Sequence, residues 1–167
     1  MKNTAIIIPT RLDAKRFPNK PLAKINNIPM IIHVLQKAKK ANVGEVFVAT
    51  PDNEIMNWAL KYKIPALLTS NQHERATERA AEVLTTLESQ GDSFDYVLLL
   101  QGDEPQIDPE EVDRLALALV ESSNKVVNLI HPIHNEDMKN HNVVKVIKDI
   151  NNNIIFFSRS YIPYGAS

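Results

Sequence analysis

The sequence predicts an α/β protein whose mostly parallel sheet is covered by helices on both faces. Three observations point there. Short apolar runs alternate with segments whose apolar residues recur at helical spacing. One run, Tyr96-Val97-Leu98-Leu99-Leu100, is apolar throughout, as a strand covered on both faces should be. The β-α-β order repeats, and a parallel sheet is the arrangement that such an order builds.

The elements follow in sequence. Ile6-Ile7-Ile8 is a buried strand that empties into a loop carrying Arg11, Lys15, Arg16 and Lys20. Pro29 can open a helix in which Met30, Ile31, Val34, Leu35 and Ala38 share a face and Lys37, Lys39 and Lys40 load the last turn. Val46–Ala49 is a second strand, and Asp52 is placed to cap a helix through Met56, Ala59 and Leu60. Ala66–Thr69 is a short third strand, and a helix runs from about Thr77 to Leu87. Asp108-Pro109-Glu110-Glu111 combines a cap, a proline at the first helical position and Glu at the third, starting a helix through Leu115 and Leu119. Val126–Ile130 and Val143–Ile147 read as further strands, Asn135–Asn142 as a loop, and Asn151-Asn152-Asn153 as a turn that folds Ile154–Phe157 back as a hairpin. The expectation is one α/β domain over 1–167, with no final capping element after Ser158.

Composition narrows the function classes. A net charge of −1 gives no global attraction to nucleic acid or anionic membrane, so phosphate binding has to be local. The absence of cysteine excludes disulfides and thiolate chemistry. No apolar run approaches the roughly 20 residues that span a bilayer, and the start lacks a signal-peptide pattern. A soluble, cytoplasmic protein is expected, without membrane insertion. The five histidines (33, 73, 131, 134 and 141) do not fall into a metal-ligand spacing. Neither Gly-x-Gly-x-x-Gly nor Gly-Lys-Ser/Thr occurs, so a dinucleotide site and a P-loop are unsupported.

Four segments carry candidate chemistry. The first loop sets four cations against one acid, Asp13, at the carboxyl end of a strand, where open α/β sheets bind ligands. Such a cluster is either a polyphosphate site or a solvated basic loop; Pro18 and Pro21 stiffen it and favour the former. Gln101-Gly102-Asp103-Glu104-Pro105 ends the Tyr96–Leu100 strand in two acids. It is either a plain strand-ending turn or, facing the basic loop, a Mg²⁺ site built on an acid at the strand's carboxyl end. His73–Arg79 enters a helix whose free N–H groups can bind an anion or a base edge, or is an ordinary polar first turn capped by Thr77. Arg159, just beyond Phe156-Phe157-Ser158, can clamp a substrate carboxylate or end a strand in solvent.

Taken together, Ile8-Pro9-Thr10-Arg11, Arg16-Phe17-Pro18-Asn19-Lys20-Pro21-Leu22, Thr77-Glu78-Arg79, Gln101-Gly102-Asp103-Glu104-Pro105, Val143–Val146 and Phe157-Ser158-Arg159 resemble the 3-deoxy-manno-octulosonate (Kdo) cytidylyltransferases of lipopolysaccharide synthesis. The resemblance spans nearly the whole chain in the family's order. It implies a Rossmann-like sheet of the nucleotide-diphospho-sugar transferase type, and an enzyme that transfers CMP from CTP to the anomeric hydroxyl of Kdo and releases pyrophosphate. It further implies that Arg11, Arg16 and Lys20 grip the triphosphate and that Asp103 ligates Mg²⁺. Thr77, Glu78 and Gln101 would lie on the nucleotide, and Arg79 and Arg159 on the sugar acid. Family members are homodimers that continue past this length, with a second metal-binding Asp and most of the dimer surface in the added part. The chain is therefore expected to be C-terminally incomplete.

The chain departs from the family pattern at three places. Asp13-Ala14 replaces small residues and a Ser, Arg75-Ala76 replaces Ser-Gly, and Pro51 replaces an Asp. Together with the expected loss of the C-terminal part, which holds further sugar contacts in the family, they leave two further readings open. One is a non-catalytic short homologue that binds CTP weakly or pairs with a full-length subunit. The other is a cytidylyltransferase for a modified sugar such as 8-amino-Kdo.

Overall fold

The computed structural model describes residues 3–13, 17–123 and 125–163. Where the sequence reads as one domain, the chain's internal contacts gather into two compact units, Met1–Val127 and Asn128–Ser167.

The first unit is built on a parallel sheet of four strands, β1 (Thr4–Pro9), β4 (Glu45–Thr50), β5 (Ala66–Leu68) and β6 (Tyr96–Leu99). Their order across the sheet is β5-β4-β1-β6. A two-residue hairpin, β2 (Lys24–Ile25) and β3 (Ile28–Pro29), turns on Asn26 and Asn27, both at positive φ. Asparagine tolerates that backbone better than most side chains. The helices are α1 (Met30–Lys40), α2 (Asn53–Lys61), α3 (Ala76–Ser89) and α4 (Pro109–Glu121).

Strand alternation divides the core in two. Ile6, Ile8, Val46 and Val48 face one way and pack with Ile31, Leu35, Ile55, Ala59, Val112 and Ala116, from α1, α2 and α4. Ala5, Ile7, Phe47 and Ala49 face the other way, against Ala80, Val83 and Leu87 of α3. A strand that sends every side chain into one of two cores has to be apolar on both sides. All six residues of β1 are buried, and Thr4 alone among them is polar. The predicted parallel sheet with helices on both faces is therefore what the chain forms. No described helix is long and apolar enough to cross a membrane.

The apolar run Tyr96–Leu100 reads as a strand covered on both faces, and although β6 lies at the end of the strand order, paired with β1 alone among the described residues, Tyr96, Leu98 and Leu100 pack on the first core and Val97 and Leu99 on the second. One expectation changes. Val126–Ile130 forms no strand, and Val126 is 74% exposed. An apolar run becomes a strand only where a neighbour offers a free hydrogen-bonding edge, and no described strand pairs with this one.

The second unit carries the antiparallel hairpin β7 (Lys145–Lys148) and β8 (Ile154–Ser158). Asp149 closes its turn by accepting the Asn151 and Asn153 N–H groups, each at 2.8 Å, and Asn153 Nδ2 at 3.0 Å. These bonds, the Asn153 side chain first, hold the Asp149 carboxyl below its ordinary range. The loop 135–142 contains a short 3₁₀ helix, Asn135–Lys139. Buried Lys145 ties this unit together by donating to the carbonyls of Asn140 (2.7 Å), Val143 (3.0 Å) and Arg159 (2.8 Å).

Candidate active site

The loop after β1 is fastened to its neighbours through Leu12. Its N–H donates to Oδ2 of Asp52 at 2.8 Å, and its carbonyl accepts from Asn19 N–H at 3.1 Å. Asp52 does stand at the start of α2, but its carboxylate makes no cap bond there and serves the first loop instead. Its own N–H donates to Thr50 Oγ1 at 3.1 Å, which fixes it at the end of β4. Asn19 takes the left-handed region (φ 56°), and the 3₁₀ turn Lys20–Leu22 follows with Pro21 buried. Lys20 is thereby returned to the carboxyl end of the sheet.

β6 delivers the opposing acid. Leu100 N–H still pairs with Ile7 carbonyl at 3.1 Å, after which the chain turns at Gln101–Glu104. Gly102 is buried there against the first loop: a Cβ would come within 3.1 Å of Pro9 O and of Thr10 Cβ. The close approach that glycine permits sets Asp103 opposite Lys20, and Lys20 Nζ lies 2.7 Å from Asp103 Oδ2.

The third wall is the entrance to α3. Glu78 Oε2 accepts from the N–H groups of Arg75 (3.1 Å) and Glu74 (3.2 Å), so the helix starts at Ala76 with Arg75, not Thr77, as its cap residue. Arg79 is 3% exposed, donating to Ser70 carbonyl at 2.9 Å and to Thr69 Oγ1. Burial and then the charge of Arg11 lower its pKa, while Glu82 and Asp52 raise it. A guanidinium remains charged throughout.

These three walls enclose a cleft of about 290 Å³. Of the residues singled out in the sequence, Arg11, Lys20, Arg79, Gln101 and Asp103 line it together. Thr77 and Glu78 do not; from their segment His73, Glu74, Arg75 and Ala76 do. Arg16 lies outside the described residues. Arg159 belongs to the second unit, where its Nη1 donates to the carbonyls of Asn142 (3.0 Å) and His141 (3.3 Å). Sequence reasoning missed the supporting residues Asp52, Ser70 and Glu82. The opposite charges of Arg79 and Glu82 at i, i+3 were the one available signal.

Among the described residues, no three His, Asp or Glu side chains gather as a metal site. Asp103 offers a single hard carboxylate, half exposed at the cleft. That donor fits Mg²⁺, which takes one or two carboxylates and fills its shell with water and phosphate oxygens.

A family model for cytidylyltransferases matches residues 5–167. The 3-deoxy-manno-octulosonate cytidylyltransferase of Neisseria meningitidis serogroup A is 40% identical over 165 residues, 98% of this chain and 64% of its own length. That of Thermodesulfovibrio yellowstonii is 39% identical, with 96% of this chain and 65% of its own length covered. A solved structure of CMP:2-keto-3-deoxy-manno-octonic acid synthetase complexed with CTP superposes with a TM-score of 0.86 at 33% identity, covering 99% of this chain and 67% of its own. The chain thus spans about 64% of the length of its meningococcal relative. It belongs to the cytidylyltransferases, and among them to the 3-deoxy-manno-octulosonate cytidylyltransferase family.

Proposed function

We propose that this chain carries the nucleotide site of an enzyme that transfers CMP from CTP to the anomeric hydroxyl of Kdo, releasing pyrophosphate. The supporting observation is the Lys20–Asp103 pair, set in one cleft with Arg11, Arg79 and Gln101. A cleft that offers both cations and a carboxylate matches a metal-bound polyphosphate, whereas a purely basic one would match a bare anion.

In this reading Arg11 and Lys20, with Arg16 from the same loop, hold the triphosphate. As the sugar oxygen bonds to the α-phosphorus and the bond to the β-phosphate oxygen breaks, negative charge grows on the departing pyrophosphate. Fixed cations at that place stabilise it more than they stabilise the bound substrate. Asp103 would hold Mg²⁺, which when bound supplies further charge neutralisation on the phosphates. Gln101, Thr77 and Glu78 serve the nucleotide, the last through its grip on the start of α3. Arg79, from its buried place in the cleft, is the cation for the sugar-acid carboxylate. Substrate binding then orients both reactants, which adds to the electrostatic stabilisation that the cations supply.

Pyrophosphate release with CTP and Kdo tests the proposal. Release that needs both substrates and Mg²⁺, and that Asp103→Asn removes, is the expected outcome. Unchanged release by Asp103→Asn contradicts the role of Asp103. No release by a chain that binds CTP favours the non-catalytic homologue.

A further inference from the structure

Ser70 is gripped from both sides by one face of α3. Its N–H donates to the Glu82 carboxylate, at 2.9 Å to Oε2 and 3.3 Å to Oε1. Its carbonyl accepts from Arg79 Nη1 at 2.9 Å. Positions 79 and 82 are neighbours on a helix surface, so the two side chains work as one staple. Glu82 also reaches the end of the stapled segment, where its Oε2 lies 2.6 Å from Nε2 of His73. His73 lines the cleft with Lys20 and Asp103; Glu82 does not.

The chemistry of this pair is directional. An ionised carboxylate only accepts, so the ring nitrogen facing it has to carry a hydrogen. Burial alone would raise the Glu82 pKa; the bonds from Ser70 and His73 and the charges of His73 and Arg79 outweigh it and hold the carboxyl ionised below the ordinary glutamate range. Whenever the ring is neutral, this contact fixes its hydrogen on Nε2 and leaves Nδ1 as the acceptor. Because Ser70 N–H anchors the same carboxylate, Glu82 cannot turn away without releasing the wall.

We propose that Glu82 is a positioning residue of the nucleotide cleft. Acting through His73 and Ser70, it sets the imidazole tautomer and holds the 69–73 wall in the form that receives a nucleoside triphosphate. The claim rests on the reading of the cleft as a CTP site, and its test separates the two.

The experiment uses the full chain, ¹⁵N-labelled, as wild type, Glu82→Ala, Glu82→Gln and His73→Asn. Long-range ¹⁵N–¹H imidazole spectra should show His73 with hydrogen on Nε2 in the wild type, assigned by its loss in His73→Asn. A mixture of tautomers is expected in Glu82→Ala. CTP with Mg²⁺ should bind Glu82→Ala about tenfold more weakly, the scale of one lost charge-assisted hydrogen bond. Glu82→Gln, which keeps one acceptor, should recover part of that loss. A folded Glu82→Ala with the wild-type tautomer and unchanged CTP affinity overturns the proposal. If Glu82→Ala does not fold, Glu82→Gln decides, since its affinity and tautomer should fall measurably short of wild type. Should the wild type bind no CTP, the nucleotide reading fails while the tautomer comparison still decides whether Glu82 positions His73.

Discussion

Lys20 Nζ lies 2.7 Å from Asp103 Oδ2, so the cation proposed for the triphosphate and the carboxylate proposed for Mg²⁺ neutralise one another across the cleft. Their side chains are 38% and 49% exposed, which makes the pair weak, about 0–1 kcal/mol, and easily parted. A metal nucleotide satisfies both partners at once, with phosphate for Lys20 and the cation for Asp103. Lys20→Met should therefore weaken CTP binding by about 1.5–3 kcal/mol while strengthening the binding of Mn²⁺ alone, because the competing ammonium is gone. Calorimetry with CTP and electron paramagnetic resonance with Mn²⁺ read the two effects separately. Unchanged Mn²⁺ affinity would mean that the pair does not guard the carboxylate.

Asp52 predicts a second effect at a distance from the cleft lining. Its carboxylate is the acceptor for Leu12 N–H, and Asp52→Ala leaves that amide without its partner. Amide exchange at Leu12 should accelerate at least tenfold, and CTP affinity should fall as Arg11 loses its fixed support. Asp52→Asn, which keeps an oxygen, should lie between the two. Unaltered exchange at Leu12 in Asp52→Ala would remove this anchor from the account.

Two glycines should rank in a definite order. An added Cβ at Gly44 would sit 2.0 Å from Thr4 O, an overlap with backbone that no side-chain motion relieves. At Gly102 the nearest atoms are 3.1 Å away, so the first loop has to yield by a few tenths of an ångström. Gly102→Ala should cost about 1–3 kcal/mol and shift Asp103, and Gly44→Ala should cost more. Thermal denaturation gives the order, and equal melting points would contradict it.

Acid sensitivity follows from Glu82. Its carboxyl ionises below the ordinary value of 4.5, so the folded state binds this proton less readily than the unfolded chain. The associated stability is fully present above pH 4.5 and is lost as the pH falls through the lower folded-state value. The stability difference between wild type and Glu82→Gln, followed by denaturant titration, should shrink over that window. A difference that stays constant with pH would assign the effect to packing.

Much of the fold was legible because β1 and β4 have to be apolar on both sides, and their alternation feeds two cores. Asp108 also caps α4 as its motif implies, although it bonds the N–H of Glu110 rather than that of Glu111. Val126–Ile130 misled because strand formation needs a partner edge, which composition does not encode. In the site, the cations and Asp103 were visible as strand-end charges. What stayed hidden was the support: Asp52 resembles a helix cap in sequence, and its use by Leu12 depends on a contact 40 residues away. The grip of Glu82 on Ser70 likewise appears only once α3 lies beside the 69–73 segment.

The most direct test of the central claim is a calorimetric titration of the chain with CTP and with ATP, each with and without Mg²⁺. The account predicts binding that is selective for CTP and strengthened by Mg²⁺, with that strengthening absent in Asp103→Asn. Equal heats for CTP and ATP, or silence with both, would contradict it.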